Sequence, residues 1–212
     1  KEHPKTLTTM GNLASAYHAA GDLKKALPLY EWTLKWRRER LGDDHWQTLH
    51  TMGKLAGAYE ADKEMEKATE LYQEALALKR KVLGEDDSRT LVTMHDLADA
   101  YHKKGNKEQA ISLFERTITL KRKHLGDDDP STLISMNALV KVYTSGANQA
   151  ETISLLEETL NSRRKTYGED HPATLTSMII LAMAHYNSDT PEKAIPFYEE
   201  VLQRREETLG AK

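Results

Sequence analysis

Apolar residues recur along the chain in pairs of short stripes with helical spacing. Near the N terminus, one stripe contains Leu7, Met10 and Leu13, and a second contains Ala26 and Leu34. These spacings place each stripe on one side of an α-helix. A glycine–aspartate pair separates the two stripes and predicts a turn. The pattern therefore predicts a hairpin of two helices, which we name A and B.

The hairpin pattern repeats at a fixed interval. A Leu-Gly or Tyr-Gly dipeptide recurs every 42 residues, ending at Gly42, Gly84, Gly126, Gly168 and Gly210. A hairpin cannot bury its apolar stripe alone, so neighbouring hairpins must stack into a solenoid. We therefore predict an all-α fold of ten helices, a single array over residues 1–212. Its five repeats span residues 1–42, 43–84, 85–126, 127–168 and 169–210.

The fourth repeat departs from this pattern at the contact between its two helices. Thr152 replaces the alanine that the other repeats carry there, and Gly146 lies one position early, beside Ala147. A β-branched residue at a close helix crossing pushes the helices apart or shifts the turn. We therefore predict a local irregularity in this repeat.

Each B helix ends in a basic cluster that is followed by acidic residues of the next repeat. Cations at a helix C terminus and acids at the next N terminus are the arrangement that helix dipoles favour. We interpret the clusters as electrostatics of the repeat joints and not as nucleic-acid patches. The clusters begin at Arg37, Lys79, Lys121 and Arg163, and the acids at Asp43, Glu85, Asp127 and Glu169.

Composition limits the compartment, the partners and the classes of function that we expect for the protein. The chain has no cysteine, which rules out disulfides and favours a reducing compartment, so we expect the protein to be cytoplasmic. The net charge of −3 gives no sign of a nucleic-acid or membrane partner, and no apolar run is long enough to cross a bilayer. No phosphate-binding loop or nucleophile is recognisable, so we predict neither a cofactor nor an enzyme.

The repeated positions resemble the tetratricopeptide repeat, in the 42-residue form of kinesin light chains. The resemblance implies a right-handed superhelix whose A helices line a concave groove and whose B helices face outward. It also implies a scaffold that binds a peptide or protein segment. In the first repeat it rests on His3, Pro4, Thr6, Leu7, Asn12, Leu13, Ala14, Tyr17, Gly21, Ala26, Leu29, Tyr30, Leu41 and Gly42.

The candidate groove residues differ in every repeat, whereas the apolar positions barely change. A surface that meets an asymmetric partner needs different chemistry at each step, although drift on an unconstrained face would also produce variation. The predicted peptide-binding residues are Gly11, Asn12, Ser15, His18, His50, Gly53, Lys54, Gly57, Glu60, His95, Asp96, Asp99, His102, Asn137, Lys141, Thr144, Ile179, Met183 and Tyr186.

Three glycines in the A helices sharpen this hypothesis. Gly11, Gly53 and Gly57 each cost about 0.8–1 kcal/mol relative to alanine inside a helix. Gly53 and Gly57 are four residues apart and share one face. The residues either form a trough for a bulky ligand group or allow neighbouring helices to pack closely, and the sequence does not distinguish the two.

His95, Asp99 and His102 are the residue types of a zinc or iron site. Their spacing, however, runs roughly 10 Å along one helix instead of around a point. We therefore predict a polar stripe without a structural metal. Metal analysis of protein never exposed to chelators tests this, because stoichiometric zinc released only by denaturation contradicts it.

Two other functions remain as alternatives. A passive spacer within a larger protein would show no groove-dependent binding, and a metal-dependent enzyme would need a bound metal and a closed pocket. The chain starts and stops at repeat boundaries without a polar capping helix. We therefore expect an excised fragment or an engineered array, in which the uncapped terminal repeats allow end-to-end stacking. Trp32 replaces a charged residue of the other repeats, and we expect it to be exposed on its B helix.

Overall fold

The computed structural model describes residues 4–126, 129–144, 149–188 and 190–210. These residues form two compact units, 1–124 and 125–212. The first unit consists of three helical hairpins. Their helices are α1 (Pro4–Ala19), α2 (Leu23–Leu41), α3 (Trp46–Ala61), α4 (Met65–Leu83), α5 (Ser88–Lys104) and α6 (Lys107–Leu125).

The second unit contains two further hairpins. Their helices are α7 (Pro130–Thr144), α8 (Gln149–Tyr167), α9 (Pro172–Tyr186) and α10 (Ala194–Gly210). A short 3₁₀ turn, Pro191–Lys193, leads into α10, so the proline after Thr190 opens a 3₁₀ turn and not an α-helix. The described residues contain no strand, which confirms the predicted all-α fold of ten helices.

The apolar positions build cores between consecutive hairpins. In the first unit, Tyr30 and Leu34 of α2 pack in one buried cluster with Met52 and Leu55 of α3. Tyr72 and its neighbours in α4 form the equivalent cluster with α5. Within the two units, α2, α4 and α8 thus each pack against the A helix that follows them, as the solenoid prediction requires. Because the contact is between neighbours, one repeat unit can be used many times.

In three repeats, the hydroxyl of the threonine at the sixth position bonds to the end of the preceding repeat. The Thr48 hydroxyl donates to the carbonyl of Gly42 at 2.8 Å, and the Thr174 hydroxyl donates to that of Gly168 at 2.7 Å. Each bond joins the first turn of an A helix to the glycine that ends the preceding B helix. That glycine has a positive φ, 91° at Gly42, which explains its presence in the repeated dipeptide.

A buried cation joins consecutive repeats from within. Arg37, at the end of α2, is only 7% exposed. Its guanidinium donates to the carbonyl of Gln47 at 3.0 Å and to the hydroxyl of Thr51 at 2.5 Å, both in α3. Lys79 and Arg163 make the same contacts to α5 and α9, respectively. The first cation of each of these basic clusters therefore links its B helix to the A helix of the next repeat through hydrogen bonds. The interpretation of the clusters as joint electrostatics did not predict this link.

The second cation of these clusters lies at the surface of the joint, as predicted. Arg38 pairs with Asp43 at 3.3 Å and with Glu74 at 2.7 Å. Arg164 makes the equivalent pairs with Glu169 and Glu200. The interpretation of the clusters as joint electrostatics is confirmed for these residues. Their partial exposure makes each pair a small contribution to stability.

Two further expectations concern individual residues. Trp32 is half-buried instead of exposed, because its ring packs 6.0 Å from that of Trp36, one turn along α2.

In the fourth repeat, the buried hydroxyl of Thr152 donates to the carbonyl of Tyr143 at 3.1 Å, which satisfies this polar group at the helix crossing. Gly146 and Ala147 lie outside the described residues, so the irregularity of this repeat stays a prediction.

Candidate functional site

We call the side of the A helices that carries the predicted binding residues the A face. It comprises repeat positions 8, 11, 12, 15, 18 and 19, counted from the first residue of each repeat. In the first unit these positions are exposed or partly exposed, and Asn12, His50 and Lys54 are among the most accessible. The A face therefore presents side chains that the cores do not use.

The three helical glycines of this face have different surroundings. Apart from chain neighbours and its own helix backbone, no described atom lies within 4 Å of the place that a Cβ on Gly53 would take. A Cβ on Gly57 would lie 3.4 Å from the Tyr72 hydroxyl, and one on Gly11 would lie 3.8 Å from the Arg37 guanidinium. Gly57 and Gly11 therefore accommodate side chains of this chain, and only Gly53 is open.

Ser15 and His18 are also engaged by the chain itself. The Ser15 hydroxyl accepts a hydrogen bond from the Tyr30 hydroxyl at 2.9 Å and donates to the carbonyl of Gly11 at 3.0 Å. The His18 ring meets the Tyr30 ring edge-on, 6.3 Å between centroids. The first repeat therefore has a trough that Tyr30 of its own B helix partly fills, which leaves less room for the bulky ligand group considered from the sequence.

A charged network joins the A face of the second repeat to that of the third. Lys103 of α5 pairs with Glu60 of α3 and, at 2.5 Å, with Asp99 one turn earlier in α5. Asp96 lies beside this network and is partly buried. Burial raises the pKa of Asp96 to about 6, with Glu60 and Asp99 raising it further and Lys79 opposing. The polar third repeat was predicted from the sequence, but its coupling to Glu60 was not.

The histidines of the third repeat do not form a metal site with Asp99. The His95 ring packs edge-on against Phe114, with 5.3 Å between centroids, and burial together with Lys121 lowers its pKa to about 4. Asp99 is paired with Lys103. Among the described residues, no three His, Asp or Glu side chains are placed to hold a metal ion. The absence of a metal from the protein itself stays a prediction.

The second unit corrects part of the predicted site. Ile179 is only 7% exposed, because α9 is covered on nearly all sides, so this side chain is not available to a ligand. Met183 is partly exposed, and its role in binding stays a prediction. Tyr186, Asn137 and Lys141 are exposed, as a binding surface requires. Ile134 is a large apolar side chain that is 58% exposed on α7. The side chain of Thr144 lies outside the described residues.

The B helices form clefts that sequence reasoning missed. One cleft of about 560 Å³ lies between α2 and α4, with Leu55, Tyr59 and Leu71 among the lining residues. A second of about 560 Å³ lies between α4 and α6, lined at equivalent positions that include Leu97 and Tyr101. They recur because the small gap between neighbouring B helices recurs with the repeat.

Comparison with known proteins agrees with this architecture. The tetratricopeptide repeat family model matches residues 47–123 and 148–207, and a related tetratricopeptide repeat model matches residues 6–47. No curated protein sequence is significantly similar to the chain. None of the described helices combines the length and apolar character needed to span a membrane.

Solved structures show the same arrangement of helices. A putative kinesin light chain from Podosopora anserina with nearly identical TPR-like repeats is 29% identical, with a TM-score of 0.68, covering 98% of this chain and 99% of that one. BtubC from P. vanneervenii is 20% identical, with a TM-score of 0.62 over 95% of this chain and 80% of that one. At this lower identity the likeness shows the fold alone.

Fold and repeats together define an all-α repeat protein of the kind that serves as a protein-interaction scaffold. The chain belongs to the tetratricopeptide repeat family. Its repeats are similar to those of the kinesin light chain type, which confirms the resemblance inferred from the sequence. This family is a scaffold type and not an enzymatic one.

Proposed function

We propose that the chain binds a peptide or protein segment along the A face. Gly53 carries this proposal, because a glycine inside a helix needs a reason. It costs about 1 kcal/mol relative to alanine, and no side chain of the described residues occupies the space beside it. A ligand group that approaches the α3 backbone closely accounts for the missing side chain. Gly11 and Gly57 do not carry the proposal, because side chains of this chain lie within 4 Å of the places that their Cβ atoms would take.

The chemistry around Gly53 indicates what such a segment must offer. His50 lies three residues before Gly53, nearly one helical turn away, and Lys54 follows Gly53 directly. Both side chains are exposed on α3. Partial desolvation and the nearby charge of Lys54 lower the pKa of His50, which favours the neutral ring. The Glu60–Lys103–Asp99 network follows along the face. A segment with a close-packing group at Gly53 and polar groups beyond it is complementary to this surface.

A substitution at Gly53 tests the proposal. Gly53→Leu fills the open space, and we expect it to weaken binding of A-face peptides by about tenfold or more, since the ligand group must be expelled. The chain should stay folded and gain up to about 0.8 kcal/mol, because leucine favours helix more than glycine does. Peptides selected from a random display library on the wild-type chain, titrated by calorimetry, provide the measurement.

A matched variant on the B-helix side separates the two surfaces. Glu70→Ala removes an exposed side chain that lines the cleft between α2 and α4, and we expect it to leave peptide affinity unchanged. Trp32 is unsuitable for this control because it packs against Trp36. If selected peptides bind the Gly53→Leu variant normally and lose affinity for the Glu70→Ala variant, binding occurs at the B-helix clefts and the proposal is wrong.

A further inference from the structure

The A face of the second repeat carries an exposed indole in line with its open glycine. Trp46 is the first residue of α3, where three other repeats have proline and one has serine, and it is 63% exposed. Gly53 follows Trp46 by seven residues, close to two helical turns, so both lie on one side of α3. Repeats precede and follow this one, so the exposure of Trp46 belongs to the A face itself. Tryptophan is enriched among the residues that dominate binding energy at interfaces.

Carboxylates collect farther along the same side of α3 and on the neighbouring α5. We call Glu60, Asp96 and Asp99 the carboxylate end of the A face. Lys103 pairs with Glu60 and Asp99. Lys79, which also lies near Asp96, donates its hydrogen bonds to a backbone carbonyl and a threonine hydroxyl of α5. Burial, Glu60 and Asp99 raise the pKa of Asp96, as expected of a carboxylate among other carboxylates. A further positive charge is therefore favourable at this end.

An extended segment can reach the indole and the carboxylate end at once. Gly53 and Glu60 are seven residues apart on α3, which corresponds to roughly 10 Å along the helix axis. An extended chain advances about 3.3 Å per residue, so about three residues cover this distance. Lys54 is exposed beside Gly53, and its charge disfavours a cation there. An apolar group therefore suits the surface at Trp46 and Gly53, and a cation suits the carboxylate end.

We propose that the A face binds a segment with an apolar side chain packed between Trp46 and Gly53 and a basic side chain, about three residues away, at the carboxylate end. This inference rests on the peptide binding proposed above and gives the bound segment a chemical class. The ammonium of Lys103 already occupies part of the carboxylate end, which shows that a basic side chain fits there. A lysine or arginine of the segment adds positive charge that Lys103 alone does not supply.

Peptides selected on the wild-type chain from a random display library, titrated by calorimetry, test this inference. We expect them to share a lysine or arginine about three residues from an apolar residue, and to lose affinity as the salt concentration rises. Asp96→Asn should weaken their binding by about two- to fivefold, since a partly exposed charge pair contributes modestly. Trp46→Ala should weaken it by at least about fivefold, because it removes the apolar contact.

Matched controls separate these contacts from general effects of charge and size. Glu39→Gln removes a negative charge and Val82→Ala shortens an exposed apolar side chain, both on B helices, and both should leave affinity unchanged. Replacing the basic residue of the peptide with glutamine should abolish the effect of Asp96→Asn and keep that of Trp46→Ala. A purely structural role of Asp96 would not produce this dependence on the charge of the peptide. Circular dichroism checks that every variant is folded.

The outcomes distinguish this inference from the binding function on which it rests. Selected peptides that are weakened by Gly53→Leu but bind the Asp96→Asn or the Trp46→Ala variant like wild type overturn the inference alone. Selected peptides without a basic residue overturn it as well. Peptides that bind the Gly53→Leu variant normally, or a library that yields no binder, overturn both the inference and the proposed function.

Discussion

We expect Arg37→Ala to lower the free energy of unfolding by about 2–3 kcal/mol. Arg37 ties α2 to α3 through hydrogen bonds to the Gln47 carbonyl and the Thr51 hydroxyl, and hydrogen bonds from charged groups contribute about 1.5–3 kcal/mol each. The variant also leaves a cavity at a buried joint. Part of the loss is offset, because burial disfavours the charged guanidinium, as its lowered pKa shows. Urea unfolding followed by circular dichroism measures the change.

Two substitutions at the same position show which part of the contact matters. Arg37→Lys should cost less than about 1 kcal/mol, because Lys79 makes the equivalent contacts to Arg89 and Thr93 in the next joint. Arg37→Met should lower the free energy of unfolding less than Arg37→Ala does. Methionine fills the space of the arginine side chain, and the Thr51 hydroxyl keeps its hydrogen bond to the Gln47 carbonyl. An alanine variant within about 0.5 kcal/mol of wild type means that the tie contributes nothing measurable.

This tie shows where sequence reasoning reached its limit. A cation near a helix end looks like surface electrostatics, and Arg38 behaves in that way. Its neighbour Arg37 points inward, although the residue type is the same. A usable signal did exist, because position 37 is Arg or Lys in every repeat and position 9 is Thr or Ser in every repeat. Reading these two positions as a pair would have predicted the contact.

The fold itself could be predicted almost completely, because it depends on local periodicity and on contacts between neighbours. Helix boundaries followed from turn residues, and the cores followed from apolar positions that recur every 42 residues. The environment of individual A-face residues could not be predicted in the same way. Whether Gly53 or Gly57 is open depends on where the Tyr72 side chain of the B helix reaches. The burial of Ile179 likewise depends on what surrounds α9.

His95 and Asp96, which are both partly buried, should give opposing responses to pH. The pKa of His95 is lowered to about 4, so the unfolded chain binds this proton first as pH falls, and stability is lost between about pH 6.5 and 4. The pKa of Asp96 is raised to about 6, so the folded chain binds this proton first, and stability is gained between about pH 6 and 4. In the wild-type chain the two contributions partly cancel in this range.

Asp96→Asn should therefore stabilise the chain at pH 7.5 by about 1–2 kcal/mol, because a neutral amide avoids the cost of holding a charged carboxylate in a partly desolvated site beside Glu60 and Asp99. The advantage should disappear by about pH 4, where the wild-type carboxyl is protonated in the folded state. Loss of the compensating carboxyl should leave the variant with a steeper decline in stability below pH 6.5, caused by His95.

His95→Gln is the matched control and should flatten the response of stability to acid without reproducing the gain at pH 7.5. Urea unfolding of the three proteins between pH 4 and 8 measures both slopes. An Asp96→Asn variant whose difference from wild type is the same at every pH would show that folding does not change the pKa of Asp96.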